Sequence, residues 1–350
     1  MTKVTIQSAG TANPPLYMPQ AQAFESLCAL FSLTEKERAL YETLMVRGPI
    51  RGRYLGMDAP EEAADTDQDR LIARFTKFAR STARAAAQQA LDRAALSAAD
   101  VDVLVVNTCT GYLCPGLTSY LVEDLGLRDN VRTLDVMGMG CGSAIPNMQA
   151  ASGLLQWNDN QTALCVAVEM CTATLFMDPD PGVIVSNAIF GDGAAALVLQ
   201  RGATRPGPAI VDVESLVQPE HREMLRYRTE QHRLRNVLSP RVPALGAEAA
   251  ERVIDRLLQR HDLARDAVSH WIVHPGGTQV LSRFGKKLGL TAQALRHSYA
   301  VFEEYGNMSS PSVWFVWDRL LREDAPSPGA WGVMLSFGAG FSAFGTLIRF

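Results

Sequence analysis

Apolar and polar positions change period several times along the chain, and each change marks an expected element. Leu27, Leu30, Phe31 and Leu33 form one apolar side within Gln20–Val46, which predicts one or two amphipathic helices there. The alanine-rich stretch Ile72–Leu96 keeps the helical period, whereas Val101–Val106 is an unbroken apolar run of the kind that buried strands show. Val131–Val136, Thr162–Val168 and Ala194–Leu199 read as further strands, and Ser143–Gln156 as a helix turning Ile145, Met148, Ala151 and Leu154 inward. Met1–Gly10 reads as a strand, and Asp58–Asp69 opens as an acidic loop. Later come a helix over Ala247–Arg260, a strand ending at Val273 and a helix after Asn307. Two last strands are expected around Trp331–Phe337 and Phe341–Phe350. Strands alternating with helices predict a mixed α/β protein whose sheets are covered by helices on both faces.

The theme is stated twice. Asp100-Val-Asp-Val-Leu-Val-Val-Asn107 reads against Ala267-Val-Ser-His-Trp-Ile-Val-His274 at an offset of 167, and Gly140-Cys141-Gly-Ser143 against Gly306-Asn307-Met-Ser309 at 166. Phe190-Gly-Asp-Gly193 and Phe337-Gly-Ala-Gly340 make a third echo. Two interlocked halves are therefore expected, 1–205 and 206–350, with Arg205-Pro-Gly-Pro208 at their boundary. Halves packed about a pseudo-twofold axis bring matched loops together at the centre. Cys141 from the first half would there meet His274 and Asn307 from the second.

Composition narrows the function. The chain has 350 residues, 47% of them hydrophobic and 20% charged, enough to bury a sizeable core. A net charge of −4 leaves no footprint for nucleic acid or for an anionic membrane. Arg222–Arg241 holds six arginines, read either as a solvated surface or as a patch near an anionic cofactor. No uncharged apolar run approaches the roughly 18 residues of a membrane span, and the amino terminus carries no apolar signal region. Six cysteines are too sparse for a disulfide scaffold and lack zinc-ligand spacing, so a reducing, cytoplasmic compartment and no metal are expected.

Three side chains carry the candidate chemistry. Cys141 follows a strand and opens an apolar helix, where unsatisfied N–H groups and the helix dipole favour a thiolate. Gly140 and Gly142 leave room for a substrate carbonyl. His274 ends a strand before Pro275-Gly-Gly277, placed to serve as base or ion-pair partner to the thiol. Asn307 could cap the following helix, but its alignment with the nucleophile turn favours an active-site donor.

His274-Pro-Gly-Gly277, Glu304-Tyr-Gly-Asn-Met-Ser-Ser310, Phe190-Gly-Asp-Gly-Ala-Ala195 and Ser336-Phe-Gly-Ala-Gly340 resemble the signatures of type III polyketide synthases, the chalcone/stilbene synthase family. Gly10-Thr-Ala-Asn-Pro14 and the pair Arg53-Tyr54 match as well, so the resemblance spans essentially the whole chain. It implies a thiolase-like αβαβα layered fold built from two duplicated halves, a homodimer, acyl-CoA starters, malonyl-CoA extension and no tightly bound cofactor. It also implies that Cys141 carries the acyl chain while His274 and Asn307 stabilise the enolate left by decarboxylation. Phe190 matches a gatekeeper, and Asn236 falls near the place of a second gatekeeper that is phenylalanine in plant enzymes. Cys109, Thr110 and Cys114 fall in a cavity segment, Thr174 and Ser309 match pocket residues, and Arg47 is the best match to a CoA-phosphate ligand. This mixture looks bacterial rather than plant-like. Small pocket residues suggest room for a medium- or long-chain aliphatic starter. Two rivals use the same three side chains. A ketoacyl synthase initiating fatty acids condenses once, on acyl carrier protein; a papain-like hydrolase is disfavoured by the duplication and the missing disulfide signature.

Overall fold

The computed structural model describes residues 3–157, 161–203 and 205–350; Met1 and Thr2, at the start of the expected first strand, lie outside them. That strand, β1, runs Val4–Ala12, and the two expected amphipathic helices are α1 (Gln20–Leu30) and α2 (Glu35–Met45). Thr34 starts α2 with a capping box, its hydroxyl accepting from the Glu37 amide while Glu37 reaches back to the Thr34 amide at 2.8 Å. The pair β2 (Leu16–Pro19) and β3 (Gly52–Leu55) brackets these helices. The alanine-rich stretch becomes α3 (Gln68–Ala94), whose Ala79, Ala83, Ala86, Ala87 and Ala90 are wholly buried. Small side chains let this helix lie almost against β1. A Cβ on Gly10 would come within 2.1 Å of the Ala86 carbonyl oxygen, so only glycine fits there.

The first half then supplies β4 (Val103–Asn107), α4 (Leu117–Leu125), β5 (Arg132–Val136), α5 (Ala144–Leu154), β6 (Thr162–Met170), α6 (Pro181–Ile189) and β7 (Asp192–Arg201). The second supplies β8 (Ala209–Val217), the hairpin β9 (Leu225–Glu230) and β10 (Arg233–Leu238), α7 (Val242–Gln259) and β11 (Val268–Val273). It closes with α8 (Thr278–Leu288), α9 (Arg296–Tyr305), α10 (Ser312–Asp324), β12 (Trp331–Gly338) and β13 (Ser342–Arg349).

Among the described residues the main sheet has nine strands in the order β11-β12-β13-β8-β1-β7-β6-β4-β5. Its two wings repeat one another. β4 pairs parallel with β6, β6 antiparallel with β7 and β7 antiparallel with β1; β11, β12, β13 and β8 follow the same sequence of directions. The wings join where β1 meets β8, with Val4 opposite Ile210.

Three apolar clusters define the layers. α3 and α4 cover the outer face of the first wing, and α7 and α8 that of the second. Between the wings lie α5 and α10, carrying Ile145, Met148, Trp314 and Trp317 into one shared core. This is the thiolase-like αβαβα arrangement. The pair α5 and α10 at its centre is preceded by the two aligned turns, Gly140–Ser143 and Gly306–Ser309.

Candidate active site

Cys141 sits in a single 3₁₀ turn, Gly140–Gly142, between β5 and α5. The Ser143 amide donates to the Gly140 carbonyl at 3.1 Å, and Ser336 of β12 donates to the Gly142 carbonyl at 3.1 Å, so the second half grips the nucleophile turn. The thiol is partly buried and takes a hydrogen bond with Ser309. Burial pushes the Cys141 thiol up to about 12, and the nearby Glu169 carboxylate adds to the rise. Burial thus opposes the thiolate that the helix terminus is expected to favour, and the turn precedes α5 rather than belonging to it.

His274 follows β11, its amide held by Leu335 at 2.8 Å. The side chain is fully buried, edge-on to Phe337 with ring centroids 5.7 Å apart, and neither ring nitrogen has a hydrogen-bond partner among the described residues. Burial pulls the imidazole down to about 3, so it is neutral at rest. Two unsatisfied buried nitrogens are expensive in a structure that otherwise pairs such atoms.

Asn307 lies between α9 and α10, its backbone bridged to Phe190. Its amide donates to the Ile189 carbonyl at 2.8 Å, and its carbonyl accepts from Gly191 at 3.0 Å. Gly306 makes this possible with φ +70°; a Cβ there would lie 2.5 Å from the Ile189 oxygen. The side-chain oxygen accepts the Ser309 amide at 2.8 Å, which fixes the amide flip and leaves Nδ2 as a donor with one long contact, 3.5 Å to the Gly276 carbonyl. Ser309 thus links Cys141 to Asn307, and Gly276 links Asn307 to the His274 segment. The three expected groups come from three turns drawn into one place.

Beneath them lies Glu169, which the sequence reading did not single out. It is wholly buried on β6 and accepts from the Cys109 amide (2.9 Å), Thr110 (2.9 Å), Ser310 (2.9 Å), Thr108 (3.2 Å) and the Cys109 thiol (3.2 Å). Burial raises its pKa despite these donors. The signal was available: Thr162–Met170 is apolar throughout apart from Thr162 and this one carboxylate, an arrangement that requires partners.

The expected pocket residues divide into two groups. Cys109, Thr110 and Ser309 gather around Glu169. Phe190, Thr174 and Asn236 instead line a pocket with about 790 Å³ of empty space, counting its solvent-open mouth. Its far wall is the apolar face of α1, with Ala23, Leu27, Leu30 and Phe31, backed by Met18, Met45 and Met57. Tyr227, also overlooked in the sequence, lines it and meets the Thr174 hydroxyl at 3.1 Å. Asn236 lines it with a carboxamide that donates to Ser186 at 2.8 Å. Cys114 joins neither group. It is exposed in the loop beside β5, because the segment after Thr110 turns outward. Arg47 stands on the surface past α2, paired with Glu42 at 2.8 Å. Within the arginine-rich stretch Arg226 pairs with Glu223 and Arg228 with Glu230 at the surface, as the solvated-surface reading has it, whereas Arg235 is buried and pairs with Asp178 outside the stretch.

Comparison with known proteins decides the family. Residues 19–223 match the model described as FAE1/Type III polyketide synthase-like protein, and residues 210–350 match the C-terminal domain of chalcone and stilbene synthases. The chain belongs to the type III polyketide synthases. It is accordingly an enzyme, an acyltransferase that uses malonyl-CoA. The polyketide synthase is 32% identical to a 3,5-dihydroxyphenylacetyl-CoA synthase of Streptomyces toyocaensis, covering 98% of this chain and 89% of that one. It is also 32% identical to a 1,3,6,8-tetrahydroxynaphthalene synthase of Streptomyces peucetius subsp. caesius, covering 99% and 93%. Among solved structures, PKS-I of the brown alga Ectocarpus siliculosus superposes with a TM-score of 0.92 at 29% identity, covering 100% of this chain and 98% of that one. These matches remove the papain-like rival. No helix among the described residues of the synthase is long and apolar enough to cross a membrane.

Proposed function

We propose that this polyketide synthase loads an acyl-CoA starter on Cys141 and extends it by decarboxylative Claisen condensation with malonyl-CoA. The observation that carries the reading is the meeting of an acylatable thiol with an unpartnered buried imidazole and a carboxamide whose Nδ2 makes only one long contact, both from the opposite half. Neutral His274 takes the proton as the Cys141 sulfur attacks the starter thioester, then passes it to the departing CoA sulfur. Malonyl-CoA enters next. Its carbon–carboxylate bond breaks, carbon dioxide leaves, and the electron pair becomes an enolate whose oxygen accepts from Asn307 Nδ2 and the His274 N–H. The carbanion attacks the acyl carbonyl on Cys141, the sulfur leaves, and the chain returns to CoA two carbons longer. After further rounds the chain closes to a pyrone or to a resorcinol- or phloroglucinol-type ring.

The starter is read as aliphatic. The pocket behind Phe190 is mostly apolar along α1, with Ala23, Leu27, Leu30 and Phe31, and carries polar groups elsewhere on its wall, among them Arg53, Thr174, Asn187, Tyr227 and Asn236. Burying a hydrocarbon chain there gains about 0.8 kcal/mol per methylene. Aromatic products, as the names of the Streptomyces relatives state for those proteins, are compatible with such a starter when ring closure involves only the extended part of the chain. Arg47 is taken to meet the CoA phosphates, the halves to divide at 205/206, and the enzyme to work in the cytoplasm without a bound cofactor.

The synthase is read as a homodimer. β5 ends the nine-stranded sheet with an unpaired edge, and Leu134, Met137 and Tyr112 are exposed beside it. An uncovered edge next to apolar side chains is normally protected by another chain. Mass spectrometry of products from purified enzyme given malonyl-CoA with acetyl- to palmitoyl-CoA tests the catalytic reading. No malonyl-CoA turnover with any starter would refute it.

A further inference from the structure

Asn107 ends β4 and His274 directly follows β11, so the two occupy matching places in the repeated halves. Where the second half carries its imidazole, the first carries a carboxamide that is 1% exposed and touches none of the three groups assigned to the chemistry. Every hydrogen-bonding atom of that carboxamide is engaged. Its Nδ2 donates to the Ser143 hydroxyl and to the Ser310 hydroxyl, each at 2.8 Å, and its Oδ1 accepts from Asn147 Nδ2 at 2.8 Å.

The direction of each bond matters. Ser143, having accepted from Asn107, donates its own proton to the Gly140 carbonyl at 2.8 Å, one residue before Cys141. Ser310, having accepted likewise, donates to Glu169 at 2.9 Å, three residues after Asn307. Only a group with two N–H bonds in one plane serves both hydroxyls at once, and only with both hydroxyls as acceptors do their protons go where they go. We infer that Asn107 is a positioning residue that holds the nucleophile turn and the Asn307 turn in register across the two halves.

The inference rests on the proposed condensation, and it predicts a particular split. Loading uses Cys141 and His274, and malonyl-CoA decarboxylation uses Asn307 and His274; neither needs the Cys141 turn aligned on the Asn307 turn, whereas condensation needs the carbanion aimed at the acyl carbon. A misplacement of about 1 Å costs on the order of 100-fold in such a step. Asn107→Ala should therefore lower condensation kcat by about 10- to 100-fold while loading, decarboxylation and the KM for malonyl-CoA stay within about threefold. The single changes Ser143→Ala and Ser310→Ala, milder for folding, each cut one arm; adding either to Asn107→Ala should cost little more. Loss of all three activities in proportion to the folded fraction, or additive losses in the double variants, overturns the inference. If the unaltered enzyme neither loads nor decarboxylates, it is the proposed function that has failed instead.

Discussion

His274 rests edge-on against Phe337, 5.7 Å between ring centroids, and both its ring nitrogens are buried without a partner. This makes the histidine a source of pH-dependent stability. Its pKa falls from 6.5 when unfolded to about 3 when folded, through burial. Below pH 6.5 the unfolded chain takes up a proton that the folded protein refuses, so the contribution is fully present above 6.5 and is lost as pH falls towards 3. The slope is roughly 1.4 kcal/mol per pH unit. Urea unfolding between pH 6.5 and 5 should show it, and His274→Gln should flatten it. An unchanged slope in the variant would contradict a neutral buried imidazole.

Glu169 and Cys141 are coupled through charge, the carboxylate holding the thiol up. Glu169→Gln keeps the shape and removes the charge, so iodoacetamide should modify Cys141 several-fold faster at a fixed pH near 8. In the unaltered enzyme the rate should climb with pH, with no plateau in mild acid. A plateau near pH 6 would mean that a Cys141–His274 ion pair exists at rest.

The path from sequence to site was short for the triad and long for its surroundings. Cys141, His274 and Asn307 were legible because duplication aligns the turns that carry them, and the repeated wing order places those turns together. Elements with strong periods, α3 and β6 among them, appeared within a few residues of their expected ends. The short α4 and α6, the hairpin β9–β10 and the helices α8 and α9 were not foreseen, because brief segments leave too few periods to read. Cys109 and Thr174 are both small and polar-tipped, so their types could not show that one faces Glu169 and the other a pocket under α1. The burial of Cys141 was also beyond the sequence, and it pushes the thiol up, against the lowering expected from the helix terminus.

The pocket under α1 sets a chain-length rule. From acetyl- to octanoyl-CoA, kcat/KM should rise by up to about fourfold per methylene, the equivalent of about 0.8 kcal/mol. Leu27→Trp should shorten the preferred chain and Thr174→Leu should narrow its entrance. Cys109→Leu, away from the pocket, should disturb catalysis without changing the preference. A flat series in the unaltered enzyme would sink the aliphatic reading and favour a malonyl-derived starter.

Asn307 separates the two stages of the reaction. With Oδ1 held by the Ser309 amide, Nδ2 is the donor proposed above for the enolate, so Asn307→Ala should still be acylated while malonyl-CoA decarboxylation falls by roughly 100-fold, the usual loss for one oxyanion donor. Equal loss of both stages would assign Asn307 a purely structural role.

The central claim is that Cys141 carries the growing chain, and intact-protein mass spectrometry tests it most directly. Purified enzyme mixed with hexanoyl-CoA should gain the mass of one hexanoyl group, lose it on addition of malonyl-CoA as product forms, and show no adduct in Cys141→Ala. An acyl adduct that persists in Cys141→Ala, on Cys109 or elsewhere, would contradict the account.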